Sequence, residues 1–193
     1  VMLDLGDARV LRALLAGAAL DGERLTEMAS ALASKDAAAL AGLAEPLQPE
    51  ARAGLQSLLR LYGGHDVLDA ARSTLPTREP INRALDDLAW LATHVARAHP
   101  HVRIGFDLAD LSGYAYYSGP RFSVYAAGSN AALARGGRYD EVGAVFGRNR
   151  PAVGFSLDVK ELALAAPDNG AHAAIRAPWN QSPELREAVR RLR

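Results

Sequence analysis

His99–Leu108, HPHVRIGFDL, is where the period of apolar residues changes, and its reading decides the fold. Val102, Ile104, Phe106 and Leu108 alternate with Arg103, Gly105 and Asp107, the pattern of a half-buried strand. Upstream the spacing is helical. Pro80 suits the first turn of a long helix whose core face is Ile81, Leu85, Leu88, Leu91 and Val95, ending before His99-Pro100. A short helix is expected from His65 to Ser73. Before it, Leu47, Ala51, Leu55, Leu58, Leu59 and Tyr62 define an amphipathic helix closed by Gly63-Gly64. Two short helices fit Glu23 to Leu43, and another follows Val10, Leu11, Leu14, Leu15, Ala18 and Ala19 until Asp21-Gly22 stops it. After an opening strand at Val1–Leu5, residues 6–99 are therefore read as nearly all helical.

Downstream, Phe122, Val124 and Ala126 form a second strand of period two. Val153, Phe155, Leu157 and Val159 form a third, running into a helix at Glu161–Ala166. No helical pattern separates the strands between 102 and 159, which argues for antiparallel pairing. The expected class is α+β, an antiparallel sheet following a helical segment. Pro167-Asp168-Asn169-Gly170 reads as a turn or linker, so residues 1–166 are expected to form one domain, helical over 6–99 and carrying the sheet over 102–166. Residues 167–193, with a helix opening at Pro183, are expected to begin a further region. The chain opens directly in a strand and closes inside a helix, which suggests a fragment lacking both ends of a longer chain.

With 193 residues, 49% of them hydrophobic and 23% charged, the chain can bury a substantial core and is not disordered. Lys plus Arg and Asp plus Glu both number 22, so no net field favours nucleic acid or an anionic membrane as a partner. Lysine stands only at Lys35 and Lys160. Zero cysteines exclude disulfides and thiolate chemistry, and with no signal-peptide pattern or bilayer-length apolar run the expected location is cytoplasmic. His65, His94, His99, His101 and His172 lack the spacing of a metal site, so no metal is expected. Neither a phosphate loop, a dinucleotide-binding glycine motif nor a Ser-His-Asp arrangement is present, and no cofactor is expected.

Three of the six tyrosines, Tyr114, Tyr116 and Tyr117, lie within four positions between Gly113 and Gly119. Alternation on a strand would send Tyr116 and Tyr117 to opposite faces, whereas the glycines let a loop turn them inward. From composition alone, three half-buried tyrosines at a sheet edge account for the cluster well. The alternative is a pocket for a small polar aromatic ligand such as imidazole. Gly136-Gly137-Arg138-Tyr139-Asp140 offers closely approachable backbone followed by a guanidinium, a phenol and a carboxylate. A glycine turn with a surface Arg138–Asp140 pair worth about 0 to 1 kcal/mol describes it equally.

Together, Asp110–Gly119 (DLSGYAYYSG), Gly136–Asp140 (GGRYD) and Pro151–Leu162 (PAVGFSLDVKEL) resemble the histidine-binding half of the histidyl-tRNA synthetase catalytic domain. That is a class II aminoacyl-tRNA synthetase fold. The resemblance covers residues 1–166, with its specific motifs inside 107–162. It implies a histidine pocket with Tyr117 and Tyr139 as the first contacts, then Tyr116, Gly137 and Arg138, the last of which can instead brace the loop. The departures carry as much meaning. The family ordinarily has an arginine where Ser112 stands, an acidic residue at Ala115 and Glu-Arg at Lys160-Glu161. Activating an amino acid with ATP requires cations against the developing phosphate charge.

In this respect the chain is similar to the synthetase-like regulatory subunits of ATP phosphoribosyltransferase in histidine biosynthesis, which retain the fold without aminoacylation. The resemblance implies no catalytic residues in this chain, a catalytic phosphoribosyltransferase subunit as partner, histidine as feedback effector and self-association as a dimer. Two alternatives are a fragment of an active histidyl-tRNA synthetase and an oligomerisation domain with an empty pocket.

Overall fold

The computed structural model describes residues 1–110, 116–127, 129, 131–143, 147, 150–166 and 182–191. Strand β1 (Met2–Asp7) leads into α1 (Ala8–Leu14), α2 (Gly22–Ala33), α3 (Ala37–Ala44) and α4 (Pro49–Leu58). A two-residue strand β2 (Tyr62–Gly63), α5 (Asp66–Thr74) and the long α6 (Glu79–Ala98) follow. The chain then enters β3 (Arg103–Asp107), β4 (Pro120–Tyr125), β5 (Ala134–Arg138) and β6 (Val153–Leu157), followed by α7 (Val159–Ala165) and α8 (Pro183–Arg191).

Aspartates start the first three helices. Asp7, Asp21 and Asp36 precede α1, α2 and α3, and their carboxylates accept from Arg9 N, Arg24 N and the Ala38 and Ala39 amides, satisfying donors that have no partner within the helix. Asp21-Gly22, read from sequence as a helix stop, therefore opens α2. The preceding helix has already ended at Leu14, and Gly17 at φ +83° turns the chain. The face of α6 behaves as its spacing predicts: Ile81, Leu85 and Leu88 are fully buried, while Leu91 and Val95 are half-buried. With Leu11, Leu32 and Leu55 they form one core, each such side chain contributing about 1.5–3 kcal/mol by leaving water.

Three expectations need correction. Helix α4 stops at Leu58, and Tyr62 is not on its core face: it is 59% exposed in β2, where Gly63 takes φ +138°. The sheet order is β2-β3-β1-β4-β5-β6, and β1 runs parallel to β3, pairing Met2 with Arg103 through Leu5 with Phe106, while the other neighbours are antiparallel. The helices between them supply the crossover a parallel pair needs. Gly136, Gly137 and Arg138 are not a turn but the end of β5, and of the five residues only Asp140 lies in a turn. The turn or linker expected at Pro167-Asp168-Asn169-Gly170 falls outside the described residues. Among the described residues no helix is long and apolar enough to cross a membrane.

Strand alternation gives the sheet two unlike faces. Leu3, Leu5, Ile104, Phe106, Phe122 and Phe155 share one, backed by α6 over β1, β3 and β4. Toward β6 the backing ends: Val153 and Phe155 are 76% and 68% exposed, and a groove of about 970 Å³ opens there beside Trp90. The other face carries Asp4, Gly6, Arg121, Ser123, Gly137 and Gly154.

Candidate functional site

On this polar face the register aligns Gly6 of β1 with Arg121 of β4, Arg121 with Gly137 of β5, and Gly137 with Gly154 of β6. Three of the four positions in the row lack a Cβ, and neighbouring backbone or a side chain fills each space: Asp107 O lies 2.9 Å from where the Gly6 Cβ would be and Pro120 O 2.6 Å from that of Gly137. A Cβ on Gly6 would stand 3.1 Å from Arg121 Nε; on Gly137, 2.9 Å from Tyr117 Cδ1; on Gly154, 2.1 Å from the Tyr139 hydroxyl oxygen. Facing residues on paired strands point to the same side about 5 Å apart. Tyr117 and Tyr139 therefore lie side by side on one face of the sheet. Tyr116 joins them, its ring centroid 5.5 Å from that of Tyr117 and 4.7 Å from that of Tyr139, with the Tyr116 side chain partly in solvent.

The loop carrying Tyr139 is pinned from both sides. Ser118 N donates to Arg138 O at 2.8 Å and Tyr139 N to Ala152 O at 2.9 Å. The Asp140 carboxylate accepts from Ala152 N at 3.0 Å and from Arg138 Nε at 2.8 Å, while Asp140 N donates to Ser118 Oγ at 2.9 Å. The Arg138 guanidinium, and then the Ala152 amide, hold the Asp140 carboxyl below its ordinary pKa. Desolvation among the rings, then the Tyr139 hydroxyl, raises the Tyr116 phenol above its ordinary value, so it is a neutral donor. Such a cluster presents ring faces and phenolic hydroxyls, groups that suit a flat, polar ligand.

Of the five residues singled out from sequence, Tyr116, Tyr117, Tyr139 and Gly137 come together. Arg138 does not join them: strand alternation sends it to the opposite face, where it lines the apolar groove and braces Asp140. Ser112, Tyr114 and Ala115 lie outside the described residues. Lys160 and Glu161 open α7, their amides donating to Asp158, and the Glu161 carboxylate accepts from Ser129 Oγ at 3.0 Å.

Sequence reasoning missed a charged group at the β1 end of the same face. Arg121, buried in mid-strand, pairs with Asp110 at 2.6 Å. Lys35 Nζ lies 2.6 Å from Asp107 Oδ1, which also accepts from the Ala109 and Asp110 amides. Asp4 stands next to them, facing Gly105 and Ser123. The only signal was the alternation in Arg121-Phe122-Ser123-Val124, which marks Arg121 and Ser123 as one face without saying what they meet. Among the described residues no group of three or more carboxylates, histidines or cysteines is arranged to hold a metal ion.

A helix-backed, mainly antiparallel six-stranded sheet is the architecture of class II aminoacyl-tRNA synthetase-like domains. Residues 1–162 match the family described as histidyl-tRNA synthetase, and the chain belongs to that family. The ATP phosphoribosyltransferase regulatory subunit of Variovorax paradoxus is 52% identical over the whole chain, which covers 50% of that relative. A crystal structure described as an ATP phosphoribosyltransferase regulatory subunit/histidyl-tRNA synthetase from Bacillus halodurans superposes with TM-score 0.69 at 27% identity, over 85% of this chain and 44% of that one. An ATP phosphoribosyltransferase complex from Thermotoga maritima shares the fold, with TM-score 0.59 at 17% identity over 81% of this chain and 52% of that one. The chain spans about half the length of the curated relatives it matches.

Proposed function

We propose that this chain is part of a regulatory subunit of ATP phosphoribosyltransferase, a protein that binds histidine and a catalytic subunit and carries out no aminoacylation of its own. The reading is supported by Tyr116, Tyr117 and Tyr139 lying together on the polar face, while the sequence carries Ser112 and Glu161 where the resemblance expects arginines. Tyr117 and Tyr139 lie over Gly137 and Gly154. At the position where the resemblance expects an arginine, Glu161 is tied to Ser129. An anionic side chain beside a triphosphate opposes binding, whereas a neutral phenolic pocket suits an imidazole. The relatives named above as regulatory subunits, and the solved complex, support a phosphoribosyltransferase partner. In this reading the subunit acts in the cytoplasm, self-associates as a dimer and transmits feedback by histidine.

Reconstitution tests it. The full-length protein is expected to confer ATP phosphoribosyltransferase activity on a short catalytic subunit, with histidine inhibiting the complex. Histidine-dependent pyrophosphate exchange by the purified protein, above a denatured control, would instead favour an active synthetase, the second name carried by the Bacillus halodurans structure.

A further inference from the structure

Five charged side chains meet at the β1 end of the polar face: Asp4, Asp107, Asp110, Lys35 and Arg121. Two ion pairs use four of them, Lys35 with Asp107 and Arg121 with Asp110, each at 2.6 Å. Asp4 is left over. Among the described residues its carboxylate forms no ion pair and no hydrogen bond, although Asp4 sits between Gly105 and Ser123 in the sheet and is half-buried. Burial, and then the nearby Asp107 carboxylate, push its pKa up to about 6, against a smaller opposing effect from Arg121. A second group there is also incomplete. Arg121 is 6% exposed, and its Nε, lying over Gly6, is buried without a hydrogen-bond partner. Buried donors are almost always satisfied, so this orphan marks the place of an acceptor.

We propose that Asp4 and Arg121 form the amino-acid end of the pocket, Asp4 receiving the α-ammonium of a free amino acid whose aromatic side chain rests against Tyr117 and Tyr139. The assignment rests on the reading of that pocket as a histidine site and adds what the ligand's backbone meets. A zwitterion suits both defects at once: its ammonium completes the unpaired carboxylate, and a carboxylate oxygen, or a water it orders, is the acceptor Arg121 Nε lacks. The separation also fits. Asp4 and Gly137 are two strands across and two residues along from each other, roughly 12 Å between Cα atoms. An amino acid with an imidazole side chain, hydrogen-bonded at each end at about 2.8 Å, bridges that distance.

Calorimetric titration of the full-length protein with histidine, histamine and 3-(imidazol-4-yl)propionate separates the contributions. The propionate, which has no amine, is expected to bind the unaltered protein about ten-fold or more weakly than histidine. In Asp4→Asn, histidine and histamine should lose about as much, while the propionate is unaffected. Asp4→Glu, which keeps the charge on a longer arm, should recover part of the histidine affinity. Equal binding of histidine by the unaltered protein and Asp4→Asn, with Tyr139→Phe still weakening it, overturns the role of Asp4 and leaves the tyrosine pocket standing. Failure of histidine to bind the unaltered protein overturns the pocket reading and this assignment together.

Discussion

Replacing Gly154 by alanine tests the glycine row at its most crowded point. The new Cβ would stand 2.1 Å from the Tyr139 hydroxyl oxygen and 3.2 Å from Tyr139 Cζ. Ordinary contact begins near 3.4 Å, so the phenol oxygen must retreat by about 1.3 Å (3.4 minus 2.1). Hydrogen bonds tolerate a few tenths of an ångström, and a hydroxyl moved that far loses a bonded ligand. The expected loss is about 1 to 2 kcal/mol, or roughly five- to thirty-fold in histidine affinity. Stability should change little. The obstacle is the free end of a side chain, and alanine lowers the entropy of the unfolded chain by an amount worth about 0.4–1 kcal/mol.

Gly136→Ala is the control, because its Cβ would meet Gly154 O at 2.5 Å and Phe155 Cβ at 2.6 Å, where backbone cannot withdraw. Calorimetric titration with histidine alongside thermal unfolding reads both quantities. Gly154→Ala should unfold within about 4 °C of the unaltered protein and bind weakly, and Gly136→Ala should be severely destabilised. Unchanged histidine affinity in a well-folded Gly154→Ala protein would refute the placement of the Tyr139 hydroxyl in the ligand site.

Asp4→Asn should alter stability with a distinctive pH dependence. A folded-state pKa of about 6 against an ordinary 3.8 means that the fold prefers Asp4 protonated. Stability from this group is therefore complete below about pH 4 and is lost as pH rises through 6. Two units correspond to about 3 kcal/mol, which solvent screening of a half-buried carboxylate reduces to about 1–2 kcal/mol. Differential scanning calorimetry should find the variant several degrees more stable at pH 8 and indistinguishable at pH 4; an equal gain at both would contradict the assigned cause. In the core, Leu88→Ala removes a fully buried side chain of α6 and should cost about 2–5 kcal/mol, lowering Tm by roughly 5–15 °C. A shift below 2 °C would show that α6 does not anchor the sheet.

The helices were legible where burial is one-sided, because Ile81, Leu85 and Leu88 repeat at the period of the structure that buries them. Their ends were less so: Asp21-Gly22 reads equally as a helix stop or a helix start, and only the carboxylate's partner, Arg24 N, shows that it is a start. The parallel partner of β1 was hidden because alternation has the same period in parallel and antiparallel strands. Strand β5 was read as a turn because Gly136-Gly137 interrupts the alternation that marks a strand. That interruption admits neighbouring backbone and the Tyr117 ring, so the feature that obscured the strand also lets the tyrosine lie close against the sheet. Asp4 and Arg121 could not be paired with anything from sequence, since Lys35, Asp107 and Asp110 reach them only through tertiary contact.

The parallel register of β1 with β3 also has a kinetic side. Met2 pairs with Arg103 and Leu5 with Phe106 only after the intervening helices have brought the two segments together. Closing so long a loop carries an entropic cost, and non-local pairing of this kind slows folding. Until it closes, Asp4 and Gly6 are far from Arg121, and the row running from Gly6 to Gly154 has no first strand. Histidine bound at the proposed site would therefore select the sheet with β1 in place and slow the departure of β1.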